Sequence, residues 1–414
     1  MIHYLIVFAV TALTAFVSTP LVRRLAVASG AIDRPSDRKV HPRPTPTVGG
    51  LAIFLAVLAG WGASHGMDFF DRMYRISSEP LWTLVAGAVI LVIGAVDDVR
   101  GTSVPVKFSG QVLASGLLVL FGVQLLYFWF PGQGILSLGS DLAVPLSILW
   151  ILAMMNAVNL IDGLDGLAAG LVGIAAIAFF VYISLSAQSP FYGPGTGSPA
   201  ALLSAIAAGG ALGFLPWNFH PSRIFMGDSG AMLLGLLLAG ATISGVGSNP
   251  FFAPSGGDLA AFSIPILIPL VVLAVPFFDV GFAIARRLIR RRPITAPDKQ
   301  HIHHRLMEFG HSHRRAVLLM YLWSVLLSGS ALAVALLNGR VLVGSICLAS
   351  VLIIVATALP RMGRLRGRRA PRVEVDVASG DGDAKTARHV GRGAGEAKPA
   401  PISASALEAE DTPA

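Results

Sequence analysis

Residues 81–101 read LWTLVAGAVILVIGAVDDVRG, an uncharged run that ends in two adjacent acids. The run approaches the length of about 20 residues that crosses the hydrocarbon core of a bilayer. Similar runs recur along the 414-residue chain, and only 13% of its residues are charged, whereas soluble domains carry about 25%. The sequence therefore predicts an all-α integral membrane protein and excludes a soluble enzyme, a disulfide-stapled secreted domain and a coiled coil.

Eleven transmembrane helices are predicted from these runs. They cover residues 2–22, 47–65, 81–96, 107–128, 142–158, 166–186, 199–216, 229–247, 259–284, 315–337 and 340–360. With this layout, all but three of the 31 Lys and Arg residues fall on one side of the membrane, the exceptions being Arg72, Arg75 and Arg340. Lys and Arg are enriched in cytoplasmic loops. We therefore predict that the N-terminus lies outside and the C-terminus lies in the cytoplasm.

The two ends of the chain differ in composition. No Lys or Arg precedes the first apolar run, which favours a retained helix over a cleaved signal peptide. Residues 1–360 are predicted to form the membrane domain. Residues 361–414 begin with several arginines and become rich in Ala, Gly, Pro and Ser, so we expect a disordered tail. Its basic start either contacts anionic lipids or acts only as a topology signal.

Polar residues in compact motifs all fall on the predicted cytoplasmic side. The outer loops hold only scattered acids, and no basic, aromatic-studded soluble face indicates a nucleic-acid partner. This asymmetry predicts an active site at the inner membrane surface. The acids of the motifs are Asp97, Asp98, Asp162, Asp165 and Asp228, and the histidines are His301, His303 and His304.

Asp97 and Asp98 end the third predicted span. Neighbours on a helix point about 100° apart, so the two carboxylates need not share one ligand. Acids oppose the helix dipole at a C-terminus. We therefore interpret the pair as functional, the alternative being boundary residues that reach for water. Lys107 begins the next span and is expected either to pair with one of these acids, to hold a phosphate, or only to extend to the interface.

The segment 154–170, MMNAVNLIDGLDGLAAG, combines amides and carboxylates. Asn156, Asn159 and Asp162 recur every three residues, so a helix would place them along one stripe, with Asp165 in the following turn. Such groups suit hydrogen bonds to a sugar or a base, and the carboxylates suit Mg²⁺. An Asp-Gly turn between two spans is the alternative, but it does not explain two Asp-Gly pairs preceded by two asparagines.

The segment 213–235, GFLPWNFHPSRIFMGDSGAMLLG, introduces the eighth predicted span. Asp228 stands at the start of this span and is the leading candidate for a metal ligand. An N-cap role is compatible with it. The free N–H groups at such a helix start predict an anion site. Asn218 and Phe225 are candidates for an amide and a stacking ring that contact a nucleobase, although Phe225 equally suits an interface anchor.

The segment 298–310, DKQHIHHRLMEFG, carries three imidazoles next to Arg305. We interpret this cluster as a phosphate-binding site. Zinc binding is the competing interpretation, but no Cys partner and no His-Glu-x-x-His pattern supports it. His311 and His313 follow and are interpreted as surface residues. Asp279, inside the span predicted at 259–284, is a functional candidate because acids within a membrane span are costly.

Carboxylates, a divalent cation and a phosphate-binding cluster at the membrane surface point to phosphoryl transfer onto an anionic lipid. Mg²⁺ is the expected cofactor, with Mn²⁺ as the alternative, because such ions prefer carboxylates and phosphate oxygens. A transporter that uses Asp279 for coupling is the rival hypothesis. A transporter would normally place its site near the bilayer midplane, whereas these motifs lie at one face.

Four motifs, VDDVRG, NAVNLIDGLDGLA, FMGDSG and HIHHRL, resemble those of the polyprenyl-phosphate N-acetylhexosamine-1-phosphate transferases. The segment 33–50, DRPSDRKVHPRPTPTVGG, resembles the first cytoplasmic loop of that family, and the likeness extends in order to residue 310. The resemblance implies that a UDP-N-acetylhexosamine and a polyprenyl phosphate give polyprenyl-diphosphate-N-acetylhexosamine and UMP at the cell membrane.

The resemblance also implies roles for individual residues. Asp228 matches the Mg²⁺ ligand of the family, and Asp97 and Asp98 match the pair that assists attack by the lipid phosphate. The histidine motif is matched by His301, His303 and His304. The nucleotide-sugar pocket is matched by Asn159, Asp162, Asp165, Asn218 and Phe225.

The donor sugar is indicated by the histidine motif. HIHHRL favours the branch that uses UDP-N-acetylglucosamine, because Ile302 interrupts the histidine run and Arg305 follows it. The branch that uses UDP-MurNAc-pentapeptide typically has three contiguous histidines and remains the alternative, together with relatives that use other UDP-N-acetyl sugars. The sequence leaves the oligomeric state open, including a homodimer.

Overall fold

The computed structural model of the chain describes residues 1–35, 43–130, 134–185, 196–246 and 312–336 and parts of 344–353. These residues form a bundle of helices with two small hairpins. The helices are α1 (Ile2–Ser29), α2 (Gly50–His65), α3 (Asp68–Ile76), α4 (Glu79–Arg100), α5 (Val104–Leu120), α6 (Ser140–Ile161), α7 (Leu167–Leu185), α8 (Pro199–Asn218), α9 (Gly227–Val246) and α10 (His313–Leu336).

Each hairpin pairs two strands in antiparallel register. In the first, β1 (Ile32–Asp33) pairs with β2 (Thr45–Pro46), and Ile32 lies opposite Pro46. In the second, β3 (Tyr127–Phe130) pairs with β4 (Gly134–Ser137). The strands are therefore minor additions to a mostly helical chain.

The apolar helices identify the chain as an integral membrane protein. Within the described ranges, seven helices are long and apolar enough to cross a membrane, namely α1, α4, α6, α7, α8, α9 and α10. The pair α2 and α3 is bent by 102° and makes an eighth candidate if it is one span. The spans predicted at 259–284 and, for the most part, 340–360 lie outside the described residues, as does the tail 361–414.

The prediction that the fourth span, 107–128, continues as a helix to residue 128 is wrong. Helix α5 ends at Leu120, Gly122 adopts a positive φ of 102°, and Tyr127 begins strand β3. Apolar and aromatic residues continue through this stretch, and a short apolar run does not distinguish helix from strand by periodicity. Helix α3 was also not predicted from the sequence. In this helix Phe70 and Met73 are buried, while Asp71 and Arg75 face outward.

Helix α9 occupies the centre of the bundle. It packs against α4, α6 and α8. In its most apolar stretch of 18 residues, 89% is buried, compared with 28% in the corresponding stretch of α1 at the periphery. Most of its buried residues are apolar, including Leu233 and Leu237, and the buried polar residues are Ser229, Thr242 and Ser244. Any polar residue at the start of α9 is therefore held in place by helices on several sides.

Glycines bring three helices together at the start of α9. A Cβ built on Gly94 of α4 would overlap the main chain of Ser229, and a Cβ built on Gly50 of α2 would overlap the main chain of Gly230. Small residues permit such close approach of membrane helices. As a result, the ends of α2 and α4 lie directly against the first turn of α9.

Candidate active site

The carboxylate of Asp98 caps the start of α9 from the last turn of α4. Its Oδ1 accepts a hydrogen bond from the Asp228 N–H at 2.7 Å, and its Oδ2 accepts from the N–H and Oγ of Ser229 at 3.3 and 2.7 Å. The first N–H groups of a helix have no partner within the helix. The predicted anion site is therefore occupied by an acid of the protein itself, and the expectation that these two N–H groups are free is wrong.

Gly227 makes this arrangement possible. Its φ of 71° lies in the left-handed region, which glycine adopts without steric cost. A Cβ at this position would overlap the Asp98 carboxylate. The glycine of the FMGDSG motif therefore allows the carboxylate to approach the start of α9.

Asp97 faces a different set of partners. Its Oδ1 accepts hydrogen bonds from the Thr102 N–H at 2.6 Å and from the Thr102 hydroxyl at 2.5 Å. Its Oδ2 lies 3.2 Å from Lys107 Nζ. The two adjacent acids therefore have different partners within the protein, and Lys107 pairs with Asp97, which is one of the alternatives considered for it.

Lys107 joins Asp97 to Asp228. Its ammonium group contacts the Asp228 carboxylate as well as that of Asp97. Asn159 of α6 completes the group when its amide is oriented to satisfy both neighbours: Nδ2 then donates to Asp228 Oδ1 at 2.9 Å, and Oδ1 accepts from Lys107 Nζ at 2.9 Å. We call Asp97, Asp98, Asp228, Lys107 and Asn159 the carboxylate cluster.

Asn156 lies one turn before Asn159 on α6 and contacts protein. Its Nδ2 donates to Gln111 Oε1 and to the Leu152 carbonyl, both at 2.8 Å. Gln111 is 1% exposed, and its Nε2 also donates to Met232 Sδ at 3.0 Å. Gln111, which follows Lys107 by one turn of α5, was not identified from the sequence. A substrate contact by Asn156 stays a prediction.

Asp162 follows the end of α6 and lies near other acids. Burial raises the pKa of its carboxyl well above the ordinary value, and the neighbouring charges of Asp98 and Asp165 raise it further. Within the described ranges, Asp162 and the carboxylate cluster together make a site with several acids and one lysine. Such a site favours a bound cation, because a cation offsets the cost of ionising neighbouring carboxyls.

Asp165 belongs to a second group of polar side chains. Its Oδ2 lies 2.6 Å from His220 Nδ1 and accepts from the Ser222 N–H at 3.2 Å, while its Oδ1 accepts from the Ser222 hydroxyl at 3.1 Å. The ring of His313 stacks on His220 with centroids 4.2 Å apart and planes 15° from parallel. We call Asp165, His220 and His313 the histidine–aspartate cluster.

The second cluster was not anticipated from the sequence. His220 was not singled out, and the interpretation of His313 as a surface residue is wrong because the first turn of α10 holds it half-buried against His220. The HP pair that follows α8 was the available signal for His220. His311 lies outside the described residues.

Asn218 connects two loops. It is 1% exposed, its Oδ1 accepts from the Gly166 N–H and its Nδ2 donates to the Ile224 carbonyl, both at 3.1 Å. Its amide therefore holds loop 162–166 against loop 219–226.

Phe225 is fixed through its main chain. Its N–H donates to the Pro46 carbonyl at 2.8 Å, and its carbonyl accepts from the Gly49 N–H at 3.0 Å. Loop 219–226 is thereby joined to the segment that resembles the first cytoplasmic loop of the family. Stacking of the Phe225 ring on a base stays a prediction.

Several predicted residues fall outside the described part of the chain. These are Asp279 in the predicted ninth span and the four basic residues His301, His303, His304 and Arg305. The residues that the structure does describe come from the ends of α4, α6 and α8 and the starts of α5, α9 and α10. They therefore meet at one end of the bundle.

Comparison with known proteins gives consistent results over most of the chain. Residues 81–246 match the model of glycosyl transferase family 4. The chain is 40% identical over 359 residues to a decaprenyl-phosphate N-acetylglucosaminephosphotransferase of Mycobacterium leprae, an alignment that covers 85% of this chain and 89% of the relative.

More distant relatives match a similar length. A decaprenyl-phosphate N-acetylglucosaminephosphotransferase of Mycolicibacterium smegmatis is 38% identical over 85% of this chain and 87% of the relative. An undecaprenyl-phosphate alpha-N-acetylglucosaminyl 1-phosphate transferase of Thermotoga maritima is 28% identical over 71% of this chain and 78% of the relative. The match to the family model alone includes the carboxylate cluster, as well as Asp165 and His220 of the second cluster.

Proposed function

The chain belongs to the polyprenyl-phosphate N-acetylhexosamine-1-phosphate transferase family, and on this premise we propose that it transfers N-acetylglucosamine-1-phosphate from UDP-N-acetylglucosamine to a polyprenyl phosphate. The products are polyprenyl-diphosphate-N-acetylglucosamine and UMP. The observation that carries the proposal is the carboxylate cluster, which gathers residues of three motifs of the family around Lys107. The names of the relatives support the transferred sugar phosphate and the class of acceptor.

The reaction is a displacement at phosphorus. An oxygen of the lipid phosphate attacks the phosphorus that bears the sugar, and the bond from that phosphorus to the UMP oxygen breaks. Such a transfer depends on positioning and on stabilisation of charge, and it requires no covalent protein intermediate. Polar groups on several elements at one end of the bundle suit this task.

Mg²⁺ is the proposed cofactor, with Mn²⁺ as the alternative. Hard cations of this kind prefer carboxylate oxygens together with phosphate oxygens and water. Among the described residues, the site offers Asp228 and Asp97 beside Lys107, with Asp98 and Asp162 close by. Asp228 is the proposed ligand. When bound, the ion would neutralise charge on the diphosphate of the donor.

The two adjacent acids receive different roles in this proposal. Both carboxylate oxygens of Asp98 accept hydrogen bonds from the start of α9, which supports a role in positioning Asp228. Asp97 and Lys107 remain 15% and 21% exposed and are assigned to the incoming lipid phosphate. The histidine motif is assigned to the phosphates of the donor. The proposed pocket for the nucleotide sugar comprises Asn156, Asn159, Asp162, Asp165, Asn218, Phe225 and Arg305.

The proposed topology has eleven spans in the cell membrane, an outer N-terminus and a cytoplasmic C-terminus. The positions of the clusters support it, because the ends of α4, α6 and α8 and the starts of α5 and α9 lie together. Consecutive spans cross the membrane in opposite directions, so these helix ends can lie together only if all of them are on the same side of the membrane. The excess of Lys and Arg assigns that side to the cytoplasm.

A reconstitution assay tests the proposal. Purified protein is supplied with UDP-N-acetylglucosamine, undecaprenyl or decaprenyl phosphate and Mg²⁺, and UMP release is measured. We expect UMP release that requires both substrates and stops with EDTA. Failure with this donor together with turnover of UDP-MurNAc-pentapeptide would contradict the donor assignment and favour the peptidoglycan-precursor branch.

A further inference from the structure

The histidine–aspartate cluster lies where three segments meet. Asp165 is in loop 162–166, His220 is in loop 219–226, and His313 begins α10. The two loops contain residues that the proposed function assigns to the nucleotide sugar. The cluster is therefore placed to determine how these loops stand relative to each other.

The carboxylate of Asp165 is engaged in hydrogen bonds with other groups of the protein. It has three partners, the His220 ring and the N–H and hydroxyl of Ser222, and its side chain is 12% exposed. Each partner belongs to loop 219–226. The carboxylate thus holds this loop against loop 162–166.

Helix α10 supports the same two loops from the other side. The Arg314 Nε donates to the His220 carbonyl at 2.9 Å, next to the stacked ring of His313. Two turns further on, the Tyr321 hydroxyl donates to the Gly166 carbonyl. Both loops are therefore fastened to one rigid helix, which follows the histidine motif in the sequence.

A metal is the competing explanation for such a cluster. One ligand atom from each of Asp165, His220 and His313 lies within 4.8 Å of the others. A metal bound by two imidazoles has to lie close to the plane of each ring, at about 2.0–2.1 Å from nitrogen for zinc. Here the rings are nearly parallel and 4.2 Å apart. The stacked geometry favours packing over shared coordination.

We propose that His220 and His313 are positioning residues for the nucleotide-sugar pocket. His220 orients Asp165 through Nδ1, and His313 holds the His220 ring in place by stacking. This inference rests on the proposed function. It predicts that loss of either ring weakens productive binding of the donor more than it slows the chemical step.

Two substitutions of His220 test the hydrogen bond. In His220→Asn, an amide nitrogen replaces Nδ1 as the donor to Asp165, whereas His220→Leu has no donor. We expect His220→Leu to raise the KM for UDP-N-acetylglucosamine about tenfold, the effect of losing one buried hydrogen bond to a charged group, with kcat within about threefold of wild type. His220→Asn should keep the KM within about threefold of wild type. An unchanged KM in His220→Leu, or equal loss in both variants, would overturn the proposal.

Two substitutions of His313 test the stacking. His313→Phe keeps a flat ring without nitrogen, and His313→Ala removes the ring. We expect His313→Ala to raise the KM about fivefold and His313→Phe to stay close to wild type, as for an aromatic packing contact. The matched control is His3→Phe, because His3 also stacks on an aromatic ring, that of Phe69 at 4.5 Å, but belongs to α1 at a distance in sequence from the clusters. It should leave the KM unchanged.

Measurements that do not depend on turnover separate this proposal from the donor assignment. Hydrogen exchange of peptides covering 162–170 should become faster in His220→Leu and His313→Ala and stay unchanged in His3→Phe. If wild type uses another UDP sugar, only the donor assignment fails and the exchange result still decides the positioning role. One equivalent of zinc in purified wild type, together with His313→Phe as impaired as His313→Ala, would overturn positioning in favour of a metal site.

Discussion

Asp98 and Asp165 have the same local role in different surroundings. Each carboxylate accepts hydrogen bonds from an N–H and a serine hydroxyl of another segment and has one further partner. Around Asp98, the part of the chain that the structure describes places more acids and one lysine, Lys107. Around Asp165 lie the imidazoles of His220 and His313.

The difference separates two tasks within one site. In the carboxylate cluster, the acids exceed the positive charge of Lys107, so the cluster is suited to a cation and to phosphates. In the histidine–aspartate cluster, the Asp165 carboxylate accepts hydrogen bonds from groups of loop 219–226, so the cluster is suited to holding loops. Substitutions that remove charge should therefore affect the first cluster much more than the second.

The largest effect is expected for Asp228→Asn. This change removes a carboxylate from the proposed metal ligands while keeping the size of the side chain. Loss of one strong electrostatic interaction in an active site typically costs about 10²–10³ in kcat. We expect a loss of at least this size in UMP release, with unchanged expression and an unchanged elution volume in detergent.

Asp71→Asn is the matched control. Asp71 lies on α3, is 49% exposed and pairs with Arg75 at 3.8 Å. Exposed pairs of this kind contribute about 0.3–0.5 kcal/mol, so we expect unchanged turnover. Near-normal activity of Asp228→Asn at low Mg²⁺ would contradict the metal assignment and would remove the main distinction between the two clusters.

The next largest loss of activity is expected for Asp98→Asn, which we compare with Asp165→Asn. At Asp98, both oxygens face main-chain N–H groups, so an amide places its NH₂ against a donor in either orientation. An unsatisfied buried donor costs about 1–3 kcal/mol. We expect Asp98→Asn to lower the thermal midpoint and to reduce kcat about a hundredfold. Part of the loss in kcat comes from the displacement of Asp228, which Asp98 holds in place.

Asp165→Asn should be mild by the same reasoning. The amide oxygen can take the place of Oδ2, and the NH₂ can donate to the Ser222 hydroxyl, which rotates to accept. We expect less than about a fivefold change in kcat, because every hydrogen bond keeps a partner. Equal losses in the two variants, measured by UMP release and by thermal unfolding, would show that the clusters do not differ in their need for charge.

The sequence predicted the first cluster more completely than the second. Asp97, Asp98, Asn159 and Asp228 stand in motifs, and helical periodicity together with apolar runs brings them to one membrane surface. The use of Asp98 as a cap for α9 was not predictable, because the crossing of α4 and α9 depends on packing between residues far apart in sequence. Charge patterns also do not reveal which N–H group an acid will meet.

A different reason explains why other residues were not predicted. Gln111 and His220 stand alone in apolar or loop sequence, and their partners lie on other elements. A single polar residue carries no periodicity and no motif. The hairpin of β3 and β4 was missed because its apolar strand continues the composition of α5. Such features follow from tertiary contacts, which local patterns do not contain.

A smaller effect is expected for Gly94→Ala. A Cβ on Gly94 would overlap the main chain of Ser229 and push α4 away from α9, which moves Asp98 from its partners. Overpacking of this kind costs about 1–3 kcal/mol. We expect about a tenfold loss of activity and a lower thermal midpoint. Gly116→Ala in α5 is the control, because a Cβ there meets open space, and its stability should not fall. A tolerated Gly94→Ala would contradict the close approach as a requirement.

The smallest effect is expected for deletion of residues 373–414. Among the described residues, all contacts of both clusters come from elements that end by Leu336, and the tail from 373 onward has a composition that cannot bury much apolar surface. The truncation keeps Arg361–Arg372, so the basic start of the tail is retained. UMP release should stay within about twofold of wild type, since neither charge nor loop position in the clusters depends on the removed residues. A large loss of kcat with an unchanged thermal midpoint would mean that the tail contributes a group to one of the clusters, and the contrast between them would then be incomplete.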